Sequence, residues 1–357
     1  MGGLKNVSLL FMKMIRTIKP GGWTFVALIT TILGAGGLVY LGRADSAQPP
    51  ALITQREQAN VEAEPITPLP MAVPLDNRKV ELGRRLFHDV KLSGDGSVSC
   101  ANCHSLASGG MDRLARSRGI GGKEGGINAP TVFNSSFNFR QFWNGRADTL
   151  DEQVDGPLQH PAEMGATWPQ TIATLSKDQS YRTEFAAIYR DGIQPHNVKD
   201  AIATFERSLV TPNSRFDRFL RGDRTALNEE ERAGYRLFKQ LGCASCHQGI
   251  NIGGNMYQKF GVMEDYFTAR GNISEADLGR FSITKREEDR YFFKVPSLRN
   301  VALTPPYLHD GSAKTLEDVV RVMARYQLGE QLGADDLKKI VAFLHTLTGE
   351  YQGRPLE

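Results

Sequence analysis

The sequence predicts a mainly α-helical protein of two related domains behind one N-terminal apolar helix. Three observations carry that expectation. Apolar residues recur at helical spacing along much of the chain, and no strong alternating strand pattern is present. Four short blocks occur twice, in the same order. One charge-free run, Gly21 to Gly42, is long enough to cross a bilayer, for which about twenty residues suffice. With 357 residues, 40% of them hydrophobic and 23% charged, most of the chain has the composition of a soluble globular protein with room for two domains.

The net charge of +3 is a local feature. Lys5, Lys13, Arg16 and Lys19 stand in a stub (residues 1–20) without a single acid, leaving 39 basic against 40 acidic residues beyond it. Such a balance gives no reason to expect a nucleic-acid partner. The basic stub ahead of the run at 21–42 puts the N-terminus in the cytoplasm and everything after Arg43 outside. A retained anchor is the favoured reading, with a cleaved signal peptide as its rival; both export the chain. Residues 43–74, rich in Pro, Ala, Gln and Glu, read as a tether. Asp76–Phe87 is expected to be helical, with Val80, Gly83, Leu86 and Phe87 on one face. Ser108–Gly126 is glycine-rich and basic, but no Gly-Lys-Ser/Thr follows it and the dinucleotide spacing fails at Glu124, so it is a loop and no phosphate cradle. Helices are expected at Trp168–Leu175, Tyr181–Tyr189 and His196–Val210, the last with a stripe of Val198, Ile202, Phe205 and Leu209. Thr211-Pro212-Asn213 breaks the pattern and sets a boundary between domains spanning 75–212 and 213–357. Asn228 caps a further helix with three glutamates in its first turn, and Thr315–Arg325 and Ala334–Leu347 close the chain.

Cys100-Ala101-Asn102-Cys103-His104 is the attachment signature of a c-type haem, and it recurs as Cys243-Ala244-Ser245-Cys246-His247. Two thiols on one helical turn can each add to a haem vinyl group, and the adjacent imidazole is then held under the iron. All four cysteines are consumed, leaving none for a disulfide or a zinc site. The other repeated blocks flank these motifs. Gly83–Phe87 corresponds to Gly234–Phe238, Ala129–Asn134 to Val295–Asn300, and Asn144–Leu150 to Asp310–Leu316. The chain therefore reads as two cytochrome c-like haem domains related by internal duplication.

The copies diverge where it matters. After Leu316 the second carries Met323 on a helix, either a soft axial ligand that raises the reduction potential or a core side chain. After Leu150 the first copy supplies Gln153, His160, Glu163 and Met164 on what reads as a bent loop. Glutamate and glutamine beside an open haem face suit acid–base work on a small oxygen substrate, though a lone surface Glu is commonly just solvated. One haem closed by two protein ligands would relay electrons, while the other keeps a free face for chemistry.

With Leu86–Asp89, the paired haem motifs, Ala129–Asn134, Gln141–Arg146, Thr211-Pro212, Leu220–Asp223, Gly253–Asn255 and Pro306–Gly311, the chain resembles the bacterial di-haem cytochrome c peroxidases from about Pro74 to Gly349. The resemblance implies reduction of hydrogen peroxide to water in the periplasm, with electrons from a small c-type cytochrome or cupredoxin, or from a membrane quinol system reached through the anchor. It also implies a homodimer. By position it makes His104 the proximal ligand of the peroxidatic haem, Glu163 the acid–base carboxylate and Gln153 the pocket amide. Phe142 and Met164 line that pocket, Trp143 stands between the haems, and His309 joins the haem-contacting residues. His247 and Met323 become the axial ligands of the electron-transferring haem. Asn128, Thr304 and Pro306 match an interdomain calcium site, two of them through backbone carbonyls. One departure stands out: where many members carry a histidine capping the peroxidatic iron, this chain has Ile120, and neither Met111 nor His160 has suitable surroundings to replace it. Two other readings are open. A tethered di-haem electron carrier needs two closed haems, and a related class that oxidises a partner protein closes its second haem with tyrosine.

Overall fold

A computed structural model describes residues 64–357. The stub at 1–20, the expected anchor at 21–42 and the first part of the linker lie outside the described residues. Among the described residues no helix is long and apolar enough to cross a membrane.

The first domain is built on α1 (Asn77–His88), α2 (Trp168–Lys177), α3 (Gln179–Ile188) and α4 (Pro195–Ser208). The second uses α5 (Arg215–Leu220), α6 (Glu229–Gln240), α7 (Leu316–Met323) and α8 (Ala334–His345). Starts are set by side chains that satisfy the otherwise orphaned first amides. Asp76 accepts from the Arg78 N–H at 2.9 Å, and Asn228 with Glu231 closes a reciprocal capping box on α6. Two short antiparallel pairs were not foreshadowed by any alternating pattern: β1 (Tyr257–Lys259) with β2 (Phe292–Lys294), and β3 (Glu350–Tyr351) with β4 (Arg354–Pro355). At two to three residues a strand is too short to show a period.

The repeated blocks adopt matching structure. α1 packs across α4 as α6 packs across α8, and each crossing has a glycine at its centre. A Cβ on Gly83 would collide with the Ala201 carbonyl, and one on Gly234 with the Lys339 carbonyl. Asn134 and Asn300 take left-handed φ of 61° and 60°, and Phe142 and Leu308 take 67° and 71°. Both asparagine amides donate to the Thr211 hydroxyl, at 2.7 and 3.0 Å, so the two repeats meet at one residue. One apolar core gathers Leu86, Phe87, Phe185 and Phe205, the other Phe216, Tyr235, Phe238 and Phe343. Each such side chain contributes about 1.5–3 kcal/mol by leaving water.

Three expectations need correction. The tether does not extend to residue 74. Ile66 and Leu69 are buried, Glu64 bonds to Tyr235 and Lys239, and Arg299 donates to the Thr67 carbonyl at 2.9 Å. Two well-placed apolar residues are enough to dock an otherwise polar strap, and they are too few to register as a period. The second domain does not keep its own tail, because Tyr351 and Leu356 pack into the first core. The stretch after Leu150 is two short helices, Leu150–Gln153 and Asp155–Gln159, in place of a loop; Thr149 caps the first of them.

Candidate haem sites

Cys100 to Cys103 form one helical turn, locked at its start by Asn102 Oδ1 accepting from the Ser99 backbone N–H at 2.7 Å. Both sulfurs and His104 line a cavity on the inner side of the first domain. The cysteines carry no disulfide, and burial pushes the Cys100 thiol up to about 12. Burial also pushes His104 below its ordinary pKa, which keeps the imidazole neutral, the form that binds iron. Among the described residues its Nδ1 is buried without a hydrogen-bond partner.

The remaining walls of this cavity carry the residues the sequence singled out. Gln153, Glu163, Met164, Phe142 and Trp143 all face it. Gln153 is held by the Thr149-capped turn. Glu163 sits on a turn with its carboxylate 3.6 Å from His160 Nδ1, and its backbone carbonyl accepts from the Ile120 N–H at 2.8 Å. Ile120 thus touches the Glu163 turn through its backbone, and its side chain lies against Gly165. Met111 lines the other cavity, and His160 lines neither.

In the second cavity Cys243, Cys246 and His247 share the walls with Met323. His247 Nδ1 is 3.2 Å from the Ile252 carbonyl, a bond that orients the ring and leaves Nε2 for a metal. Burial pushes its pKa down to about 4. Met323 closes α7, and a π-helical turn, Ala324–Leu328, follows directly. Phe260, Phe293, Leu308 and Leu328 make the surroundings apolar.

The two cavities share a wall made of residues 128–131, Asn138, Trp143 and Lys294. Trp143 Nε1 donates to the Asn128 carbonyl at 3.0 Å, fixing the indole in that wall. Its ring centroid is 6.3 Å from that of His309, the residue at the matching position of the second repeat. His309 is buried beside the second cavity, with Nε2 2.7 Å from Asp277 Oδ1. Arg270 pairs with both Asp277 and Asp310 at 2.6 Å, so this group of acids is an ion-pair network already supplied with its cation. Asn128, Thr304 and Pro306 all line the second cavity; the Asn128 amide donates to the Leu114 carbonyl at 2.9 Å.

Two thiols on one turn, a buried neutral imidazole next to them and a large, mostly apolar cavity fit a covalently attached haem in each domain. Three further residues in these walls escaped the sequence reading. Arg146 stacks 3.3 Å above the Phe142 ring; burial pulls its pKa down and the Glu163 charge pushes it back up. Glu206 faces the first cavity from α4, and Lys294 faces both. An acid on the apolar stripe of α4 and a lysine inside Phe292–Val295 were signals available in the sequence. Arg146 gave none beyond its membership of a repeated block.

Residues 77–225 match the model of the di-haem cytochrome c peroxidase family, and residues 231–348 match that of cytochrome c. The chain is 49% identical to the cytochrome c peroxidase of Escherichia coli K12, over 81% of this chain but only 62% of that longer relative. It is 46% identical to the cytochrome c551 peroxidase of Nitrosomonas europaea, over 80% of this chain and 85% of the relative. Among solved structures, a MauG-like protein associated with microbial copper homeostasis superimposes with a TM-score of 0.70 at 28% identity, covering 86% of this chain and 96% of the other. With a haem-attachment motif inside each matched segment and such identity across four-fifths of its length, this chain belongs to the di-haem cytochrome c peroxidases.

Proposed function

We propose that the protein reduces hydrogen peroxide to water, taking one peroxide, two electrons and two protons to two waters. The observation that carries this reading is the chemical inequality of the two cavities. In the second, His247 shares apolar walls with Met323; in the first, His104 shares the walls with Gln153, Glu163 and Arg146. A bound haem supplies the iron that takes up peroxide and the electrons that cleave its O–O bond.

The protein's own groups handle the protons. Glu163 accepts the proton of the near peroxide oxygen and delivers it to the far one, which leaves as water. The Gln153 amide holds the substrate by hydrogen bonding. Arg146, stacked on Phe142, places a cation near the Glu163 carboxylate in the wall of the first cavity. Trp143, in the shared wall, is the electron path between the two sites. Asn128, Thr304 and Pro306 would hold one calcium ion beside that wall, oxygen donors being what such a cation takes.

We infer further that the chain works in the periplasm, held to the inner membrane through residues 21–42, with a small c-type cytochrome or cupredoxin as donor. Ile120, standing where a capping histidine is expected, has no atom that could bind iron, so that position would not close the first haem. Met323 argues against the reading as an oxidant of partner proteins, since that class closes the second haem with tyrosine.

Stopped-flow mixing of the oxidised, as-isolated holoprotein with peroxide tests the proposal. The expected result is a high-spin ferric signal at rest, rapid spectral change on mixing, and turnover with reduced cytochrome c. Glu163→Gln, with both haems attached, is expected to lower turnover on the order of a hundred- to ten-thousand-fold. A wholly low-spin resting spectrum with no reaction would return the protein to simple electron relay.

A further inference from the structure

Lys294 has an assignment that neither the haem motifs nor the acid–base residues provide. It ends β2, is only 7% exposed, and donates its backbone N–H to the Trp143 carbonyl at 2.8 Å. Strand alternation sends its neighbour Phe293 to the cluster around Phe267, and Lys294 to the wall shared by the two cavities. Among the described residues its ammonium has no hydrogen bond and no ion pair, in a structure where many other lysines and arginines are paired. Burial alone pushes its pKa down to about 8, with no carboxylate among the described residues working against that shift. Neither acid lining the first cavity pairs with it: Glu163 lies beside His160 and Arg146, and burial favours the neutral form of Glu206.

An uncompensated buried ammonium costs several kcal/mol, so such a group is normally paired or hydrogen-bonded. Haem brings two propionate carboxylates, and these cavities are where haem fits. We propose that Lys294 is the counter-ion of a haem propionate in the wall between the two sites, and that its charge holds the reduction potential of that haem up. The sign follows from charge: a nearby cation stabilises the reduced iron, which carries one positive charge fewer. Its place beside Trp143 puts this electrostatic control on the route between the irons. The inference rests on the di-haem reading of the cavities.

Potentiometric titration of the full-length holoprotein, followed in the visible spectrum, tests it with Lys294→Met and Lys294→Arg, after a pyridine haemochrome assay has counted two haems per chain. Lys294→Met is expected to lower the reduced-to-oxidised ratio of one haem about tenfold at fixed solution potential, a shift of about 59 mV. Lys294→Arg keeps the charge and is expected to stay within about threefold of the wild type, a range smaller than that tenfold step. Unchanged midpoints in a fully loaded Lys294→Met, or an equal fall in Lys294→Arg, would overturn the assignment. Should Lys294→Met fail to keep its haems, Lys294→Gln, polar and similar in reach but uncharged, carries the same two outcomes. Absence of haem from the wild type would instead defeat the di-haem reading itself.

Discussion

Glu206 stands on the buried face of α4, 6% exposed, with Oε2 sealed from solvent and without a hydrogen-bond partner among the described residues. Burial pushes its pKa up to about 8; Arg207 pulls against the shift and Asp151 adds to it. The folded state therefore keeps the proton over a range in which the unfolded chain, with an ordinary value of 4.5, has released it. Stability from this group is complete below about pH 4.5 and is lost as pH rises towards 8, by up to about 1.4 kcal/mol per unit. Glu206→Gln is expected to flatten that slope, which urea midpoints of wild type and variant at pH 5 and pH 8 will report. Equal pH sensitivity in the two proteins would mean the carboxyl is ionised in the fold. Glu206 and Lys294 share one character: each is a charge-capable group buried by a cavity wall, and each gains its meaning from what the cavity holds.

At the scale of elements, the helix crossings set the spacing of both haem sites. Gly234 lets α6 approach α8 until backbone meets backbone, and Gly83 does the same for α1 on α4. Gly234→Ala must push α8 away from α6. Overpacking of this kind typically costs about 1–3 kcal/mol, partly offset by the better helix propensity of alanine. The expected result is a lowered denaturation midpoint and a perturbed spectrum of the second haem, with the first unchanged; an unshifted midpoint would show that the crossing has slack. The crossing helices were legible in the sequence, because α1, α4, α6 and α8 carry helical signals and the glycines fall in repeated blocks; which helix crosses which was not. The haem turns were legible for a chemical reason, since attachment demands fixed residue types at fixed spacing; Met323, whose spacing suits a core side chain equally well, stood out only through the family resemblance. What was hidden has physical causes too. The helix holding Gln153 is four residues long, barely one turn, so no helical period can repeat within it. The strap from Glu64 to Leu69 docks through backbone carbonyls and two apolar side chains, contacts that carry almost no sequence signature.

In the whole molecule the two ends of the described chain cross over. The strap at 64–69 precedes the first domain yet packs on the second, where Arg299 and Asp217 form a buried ion pair at 2.7 Å that also binds the Thr67 carbonyl and the Leu69 N–H. The tail after Gly349 follows the second domain yet returns to the first, where Tyr351 meets Phe133 edge-on at 5.1 Å and Leu356 joins the core. With Asn134 and Asn300 both anchored on Thr211, neither domain is complete without residues from the other side of the boundary. Such sharing makes the two domains one cooperative unit, in which both haems should lose their native spectra in a single denaturant transition coincident with loss of helix. Deleting residues 350–357 removes Tyr351 and Leu356 from the first core while leaving the second core intact. That truncation is expected to lower the midpoint of the first haem more than that of the second, splitting one transition into two. The split would show that linkage across the boundary, more than either core alone, holds the two irons at a fixed separation. A single unshifted transition after truncation would place the linkage in the Thr211 junction and the shared wall around Trp143.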